Sequence, residues 1–295
     1  GRPGAPEHRG IMRVLVTGGF GFVGARLGVH LHRQGHDVIL ASRTANAPPA
    51  WLPEAGTVRL DWQDRDGLAA ACRGVDAIVH AAGMNAEDGA KDPVAALEVN
   101  GVATARLVAA AARSGVERFV YVSTAHVYDA PLVGHISEET CPRNLHPYAS
   151  SHLAGETAVL HLAQQGCIDG IVVRLSNAFG RPEHPATNCW MLLVNELCRS
   201  AVRNGSLALR SNGRQLRDFV PMADVCTLLE GFVTRGGDGT AQRVFNVGAA
   251  RSMAVIDMAT KIQERCAHLW GRRPEIRVPD VPAATAPPEP LSFSC

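Results

Sequence analysis

Short apolar runs alternate with stretches of helical period along the first 175 residues of the chain. The runs at 11–17, 37–41, 58–60, 77–80, 118–123 and 171–175 have the length of strands and little polar alternation, which predicts strands buried on both faces. Between them, 22–34, 66–72, 93–114 and 148–164 carry apolar residues at helical spacing, the third being rich in alanine. Strand and helix in turn predict an α/β fold: a doubly wound parallel Rossmann sheet, with ligands beyond the carboxyl ends of its strands.

After residue 175 the alternation weakens, proline and glycine become frequent, and an apolar helix is expected at 189–202. This predicts a dinucleotide-binding domain at 11–175 and a smaller C-terminal substrate lobe made of 176–216 and 249–295. Residues 217–248, with a strand-like 217–221, a helix over 223–233 and a strand over 243–247, are expected to return to the main sheet. Residues 1–10, rich in proline and glycine, predict a flexible tail without the apolar core of a signal peptide. The end, 274–295, shows no closing element.

The first strand runs into Val14-Leu15-Val16-Thr17-Gly18-Gly19-Phe20-Gly21-Phe22-Val23-Gly24, a glycine turn that opens a helix. Glycines allow the tight turn and close backbone approach, and free amides at a helix start present partial positive charge to phosphate. A dinucleotide cofactor, NAD(P), held at Gly18, Gly21, Phe22 and Val23, is the first expectation. The second strand ends in Ala41-Ser42-Arg43-Thr44, with no carboxylate to bond both ribose hydroxyls. Arg43 suits the extra phosphate of NADP, which favours NADP over NAD.

Composition narrows the function classes. With 295 residues, 46% hydrophobic, the chain can bury a large core, and a net charge of +1 gives no electrostatic case for nucleic acid or anionic membrane. No segment is read as approaching a transmembrane span. Eight cysteines lack any Cys-x-x-Cys pair, so no metal and no disulfide framework is expected; reduced thiols place the protein in the cytoplasm. Lys91 and Lys261 are the two lysines, and arginine supplies the remaining positive charge.

The strand ends together resemble the extended short-chain dehydrogenase/reductases, which include nucleotide-sugar epimerases, dehydratases and ketoreductases, over residues 11–262. Thr17 to Gly24 resembles the cofactor loop, Asp61-Trp62 the adenine-contacting position, and His80-Ala81-Ala82-Gly83 the strand end lining the cofactor. Asn100-Gly101 resembles the central-helix asparagine, Ser123 to Tyr128 the catalytic serine/threonine strand, and Pro147-Tyr148 with Glu156 the tyrosine helix. Arg174 to Gly180, including Leu175, and Arg217 to Val220 resemble segments meeting nicotinamide and nucleotide-sugar.

The resemblance implies that Tyr148 is the general acid/base, although an ordinary phenol has a pKa of about 10. Thr124 would bond the reacting oxygen. The family places a lysine four residues after the tyrosine, where it bonds the nicotinamide ribose; here that position is His152. A neutral imidazole can still bond a ribose hydroxyl but adds little charge. Asn85, Asn177 and Arg217 occupy positions resembling those near the diphosphate or sugar. The 4,6-dehydratases carry Asp and Glu after the threonine position, where this chain has Ala125 and His126, so dehydration is rejected. The expected function is an NAD(P)-dependent nucleotide-sugar epimerase or ketoreductase. Two alternatives stand beside it: reduction of a non-sugar carbonyl, and a catalytically impaired dinucleotide-binding regulator. The resemblance further implies a homodimer built on the helices at 93–112 and 149–163, and a natural chain extending past Cys295.

Overall fold

The computed structural model describes residues 10–44, 47–235, 241–280 and 289–295, so the expected tail falls, but for Gly10, outside the described residues. β1 (Arg13–Thr17) leads through the glycine turn into α1 (Phe22–Arg33), followed by β2 (Asp37–Ser42), β3 (Gly56–Arg59), α2 (Arg65–Cys72) and β4 (Ala77–His80). A short helix, α3 (Ala86–Lys91), precedes a helical rod made of α4 (Pro93–Ala96), a π-helical turn at Leu97–Val102 and α5 (Ala103–Arg113). Then come β5 (Arg118–Thr124), β6 (Gly134–Ile136), α6 (Pro147–Gln164), β7 (Asp169–Leu175) and β8 (Asn177–Phe179). The remainder holds α7 (Leu193–Asn204), β9 (Ser206–Ala208), β10 (Leu216–Pro221), α8 (Met222–Thr234), β11 (Val244–Val247), β12 (Ser252–Ala254), α9 (Val255–Trp270), β13 (Glu275–Arg277) and β14 (Leu291–Phe293).

Seven parallel strands form the central sheet in the order β11-β7-β5-β4-β1-β2-β3. Because successive side chains of a strand face opposite ways, β1 feeds two cores. Val14 and Val16 join Leu27 and Leu31 of α1 and Val225 and Leu229 of α8, whereas Leu15 joins Leu68 of α2, Leu107 of α5 and Val159 of α6. This two-sided burial explains why the strands read as continuous apolar runs. The chain leaves β1 toward β2 on one side and reaches β4 on the other, so Thr17 lies in register with both Ala41 and His80. Strand order reverses there, and doubly wound sheets bind their ligands in the crevice beyond the carboxyl ends at such a point.

Four expectations are corrected. The segment 217–248 divides: β11 does pair with β7 in the main sheet, but β10 pairs with β8 and β12 in a separate three-stranded sheet. Asp218, Phe219 and Val220 are buried in succession, and Phe219 enters a core built from α7 and α9. Second, the rod Pro93–Arg113 is long and apolar enough, by length and composition, to cross a membrane. Half of it is buried, and its apolar side packs on α2 and α6, the ordinary demand on a helix covering a sheet. Third, the chain end does close: Leu291-Ser292-Phe293 has the period of a strand, pairs in parallel with β6, and buries Leu291 and Phe293. The helix expected from 189 begins only at Leu193, after turns at 187–192.

Candidate active site

The phosphate cradle is built from backbone. Gly18 has φ +64, where side chains are strained, and a Cβ there would lie 2.7 Å from the carbonyl oxygen of Ala81. A methyl on Gly24 would collide with the carbonyl oxygen of Gly18, so the start of α1 sits directly on the turn. Gly21 is the N-cap residue; no side chain caps this end and its first turn holds no acid. The amides of Phe22 and Val23 therefore face outward with the positive end of a twelve-residue helix behind them. These features fit a pyrophosphate. Arg43, exposed past the end of β2, has its carbonyl bonded by Arg59 Nε at 3.1 Å. Exposed Asp61 accepts the amide of Gln63 at 2.9 Å, a turn contact that leaves carboxylate capacity free. Trp62 packs edge-on against His80, with ring centroids 5.9 Å apart.

Beyond β4, the amides of Ala81 and Ala82 bond the carbonyl and hydroxyl of Thr17 at 3.2 and 3.3 Å, fixing the loop that leads to exposed Gly83. Asn100 corrects an expectation. It is fully buried, and its amide group accepts from Met84 N at 2.7 Å and donates to Ser151 Oγ at 3.0 Å. Both ends of the amide are engaged inside the protein, so Asn100 braces the loop after β4 against α6 instead of reaching the crevice.

Thr124, at the end of β5 opposite Leu175, is brought to Tyr148, in the first turn of α6. The Thr124 hydroxyl accepts the amide of His126 at 3.1 Å and lies near enough to the Tyr148 phenol to favour its ionised form. Burial raises the pKa of Tyr148, and the Thr124 hydroxyl opposes that in part. One turn further along α6, His152 is buried, and burial draws its pKa down to about 4, so the imidazole is neutral at physiological pH. Its Nδ1 lies 2.9 Å from the phenol oxygen of Tyr121, while a Cβ on Gly83 would lie 3.7 Å from its Nε2. The expected catalytic three thus meet at the strand ends.

The expected substrate residues fare differently. Asn85 is corrected: its Oδ1 accepts the amide of Asp88 at 2.9 Å and its Nδ2 donates to the Asp88 carboxylate at 2.7 Å, so it starts α3 as an N-cap. Asn177 donates its amide to the carbonyl of Asp218 at 2.8 Å, tying β8 to β10. Asp218 is fully buried and accepts the amides of Ala249 and Arg251. No ion pair with Arg217 occurs among the described residues. Burial lowers the pKa of half-buried Arg217, and its charge helps lower that of His126. A partly desolvated guanidinium with this freedom favours an anion.

Sequence reasoning missed the polar column behind His152. His80 Nδ1 meets Thr17 Oγ1 at 2.6 Å, His80 Nε2 meets Thr104 Oγ1 at 2.9 Å, and Tyr121 bridges toward His152. The available signal was polar chemistry at Thr104 and Tyr121 inside otherwise apolar elements. A second buried pair joins Arg174 to Glu156 at 2.7 Å, with Ser123 donating to Glu156 at 2.6 Å, locking β5, α6 and β7 together.

The sequence profile of the family described as "NAD dependent epimerase/dehydratase family" matches residues 14–248. A dTDP-6-deoxy-L-talose 4-dehydrogenase (NAD(P)(+)) of Kitasatospora kifunensis is 32% identical over 253 residues, 82% of this chain and 75% of its own length. A dTDP-glucose 4,6-dehydratase of Streptomyces niveus is 27% identical over 273 residues, 88% of this chain and 79% of its own. Among solved structures, the UDP-glucose 4-epimerase of Thermus thermophilus in complex with NAD is similar at 25% identity and a TM-score of 0.75, over 96% of this chain and 89% of that one.

Proposed function

Because the chain belongs to the NAD-dependent epimerase/dehydratase family, we propose that it is an epimerase or ketoreductase that moves a hydride at a carbinol carbon of a nucleotide-activated sugar. The observation that carries this reading is the Tyr148 phenol set beside the Thr124 hydroxyl where the end of β5 meets the first turn of α6. A nicotinamide dinucleotide, when bound, accepts or supplies the hydride. Gly18, Gly21, Phe22 and Val23 would hold its pyrophosphate, Asp61 and Trp62 its adenine, and Arg43 a phosphate on its ribose. Ala81, Ala82, Gly83, Leu175 and His152 would border its nicotinamide end.

Thr124 holds the reacting oxygen, and Tyr148 gives a proton to it in reduction or takes one in oxidation. Arg217 faces the diphosphate. Removal of water from a sugar needs an acid and a base beside the reacting carbons. The positions after Thr124 are Ala125 and His126, whose pKa burial lowers, so dehydration is not part of the proposal. The talose 4-dehydrogenase relative supports hydride transfer with either dinucleotide; Arg43 favours NADP. Exposed Val94, Leu97 and Val102 on the rod support pairing of two copies.

The test is to supply NADH or NADPH with a dTDP-4-keto-6-deoxy sugar, and separately UDP-glucose or dTDP-glucose. A reduced sugar or a C4 epimer supports the reading. Formation of a 4-keto-6-deoxy product from dTDP-glucose overturns the exclusion of dehydration.

A further inference from the structure

We propose that Tyr121 is a positioning residue that fixes the tautomer of His152 with the ring proton on Nε2. The crevice is thereby offered an uncharged N–H donor where the resemblance places the ammonium of a lysine. The inference rests on reading the crevice as a dinucleotide site.

Counting protons along the buried column leads to this tautomer. Tyr121 is fully buried, and its phenol has one proton to give, with His152 Nδ1 at 2.9 Å, the carbonyl of Asn100 at 3.2 Å and the Thr104 hydroxyl beside it. The Asn100 carbonyl already receives the Thr104 hydroxyl at 2.7 Å. Thr104 can donate there because its oxygen accepts from His80 Nε2 at 2.9 Å, and His80 in turn accepts the Thr17 hydroxyl on Nδ1 at 2.6 Å. The contact with His152 is the shorter one and the carbonyl already holds a hydroxyl, so the phenol donates to Nδ1 and the ring proton sits on Nε2. That nitrogen is the one on the Gly83 side of the ring.

The local sequence makes room for this arrangement. Gly155 lies on α6 beside the phenol, and a Cβ there would stand 2.7 Å from the Tyr121 oxygen. The two rings stack with centroids 5.8 Å apart and 24° between planes.

Nitrogen-15 NMR of histidine-labelled protein without added dinucleotide, with His152 assigned from a His152→Gln variant, reads the tautomer directly. A bare Nδ1 and a protonated Nε2 are expected; a protonated Nδ1 overturns the proposal even if Tyr121 variants fail to fold. Binding of NADPH supplies the second readout. Tyr121→Phe should weaken it about fivefold, the worth of one hydrogen bond, and should add nothing in a His152→Ala background. Equal losses in both backgrounds would mark Tyr121 as merely structural and overturn the positioning role. If the wild type binds no dinucleotide while the tautomer is as expected, the reading of the crevice fails and the tautomer assignment stands.

Discussion

His152 stands edge-on to Tyr148, with ring centroids 4.7 Å apart and planes at 72°. The four-residue spacing on α6 puts both on one face, as it would a lysine, but burial holds this imidazole neutral. Among the described residues no cation lowers the Tyr148 phenol, and the Thr124 hydroxyl alone opposes its burial. The acid/base behaviour of the site turns on that relationship.

Tyr148→Phe removes the proton donor and leaves the cradle at the start of α1 untouched. Turnover should fall about 10²- to 10⁴-fold, with dinucleotide affinity within a factor of about 3 of wild type. Steady-state kinetics beside fluorescence titration check it, and retained turnover would remove Tyr148 from the chemistry.

A raised phenol pKa keeps Tyr148 protonated to more alkaline pH than usual. Reduction, which needs the protonated form, should hold its rate through neutrality and fall only at high pH. Oxidation needs the phenolate and should climb with pH past neutrality. His152→Lys places a cation beside the phenol and should move the rising oxidation limb by about one unit toward neutral pH. Rate profiles in both directions decide this; coincident limbs in the two proteins would contradict it.

Burial also links His152 to stability. Its folded pKa is drawn from 6.5 to about 4, so between these values the unfolded chain binds the extra proton and the folded one does not. Stability should therefore be complete above pH 6.5 and decline as pH falls toward 4, by on the order of 3 kcal/mol from this group alone. His80, drawn down to about 3, adds to the same slope. Thermal melts across this window should show a shallower decline for His152→Gln.

Arg43 and Arg217 should separate the two ligands. Arg43→Ala is expected to weaken NADPH about tenfold and leave NADH unchanged. Arg217→Ala should raise KM for the nucleotide-sugar by a similar factor, about tenfold, without changing dinucleotide affinity. Paired titrations and kinetics measure both, and an effect of Arg217→Ala on NADPH affinity would contradict its placement.

Much of the fold and half of the site are legible in sequence because they depend on local rules. Apolar runs such as Val14 to Val16 announce a strand covered on both faces, and the Gly18 to Gly24 turn announces an uncapped helix start. Thr124 and Tyr148 lie at ends of elements whose order fixes where those ends meet. What stays hidden depends on partners distant in sequence. Asn100 reads as a ligand but braces Met84 and Ser151, while Asn85 serves its own helix. The pairing of β10 with β8 and β12, and of β14 with β6, joins short strands whose own sequences carry no register. The Tyr121–His152 contact links β5 to α6 across a span of 31 residues, and neither residue's local context announces the other.

The most direct measurement is calorimetric titration of the purified chain with NADPH and NADH, after denaturing a sample to identify any dinucleotide already carried. One site per chain is expected, kept in Tyr148→Phe and lost in Gly18→Val, a change that would drive a side chain into the Ala81 carbonyl. Absence of both retained and added dinucleotide from the well-folded wild-type chain would contradict the reading of the crevice as a dinucleotide site.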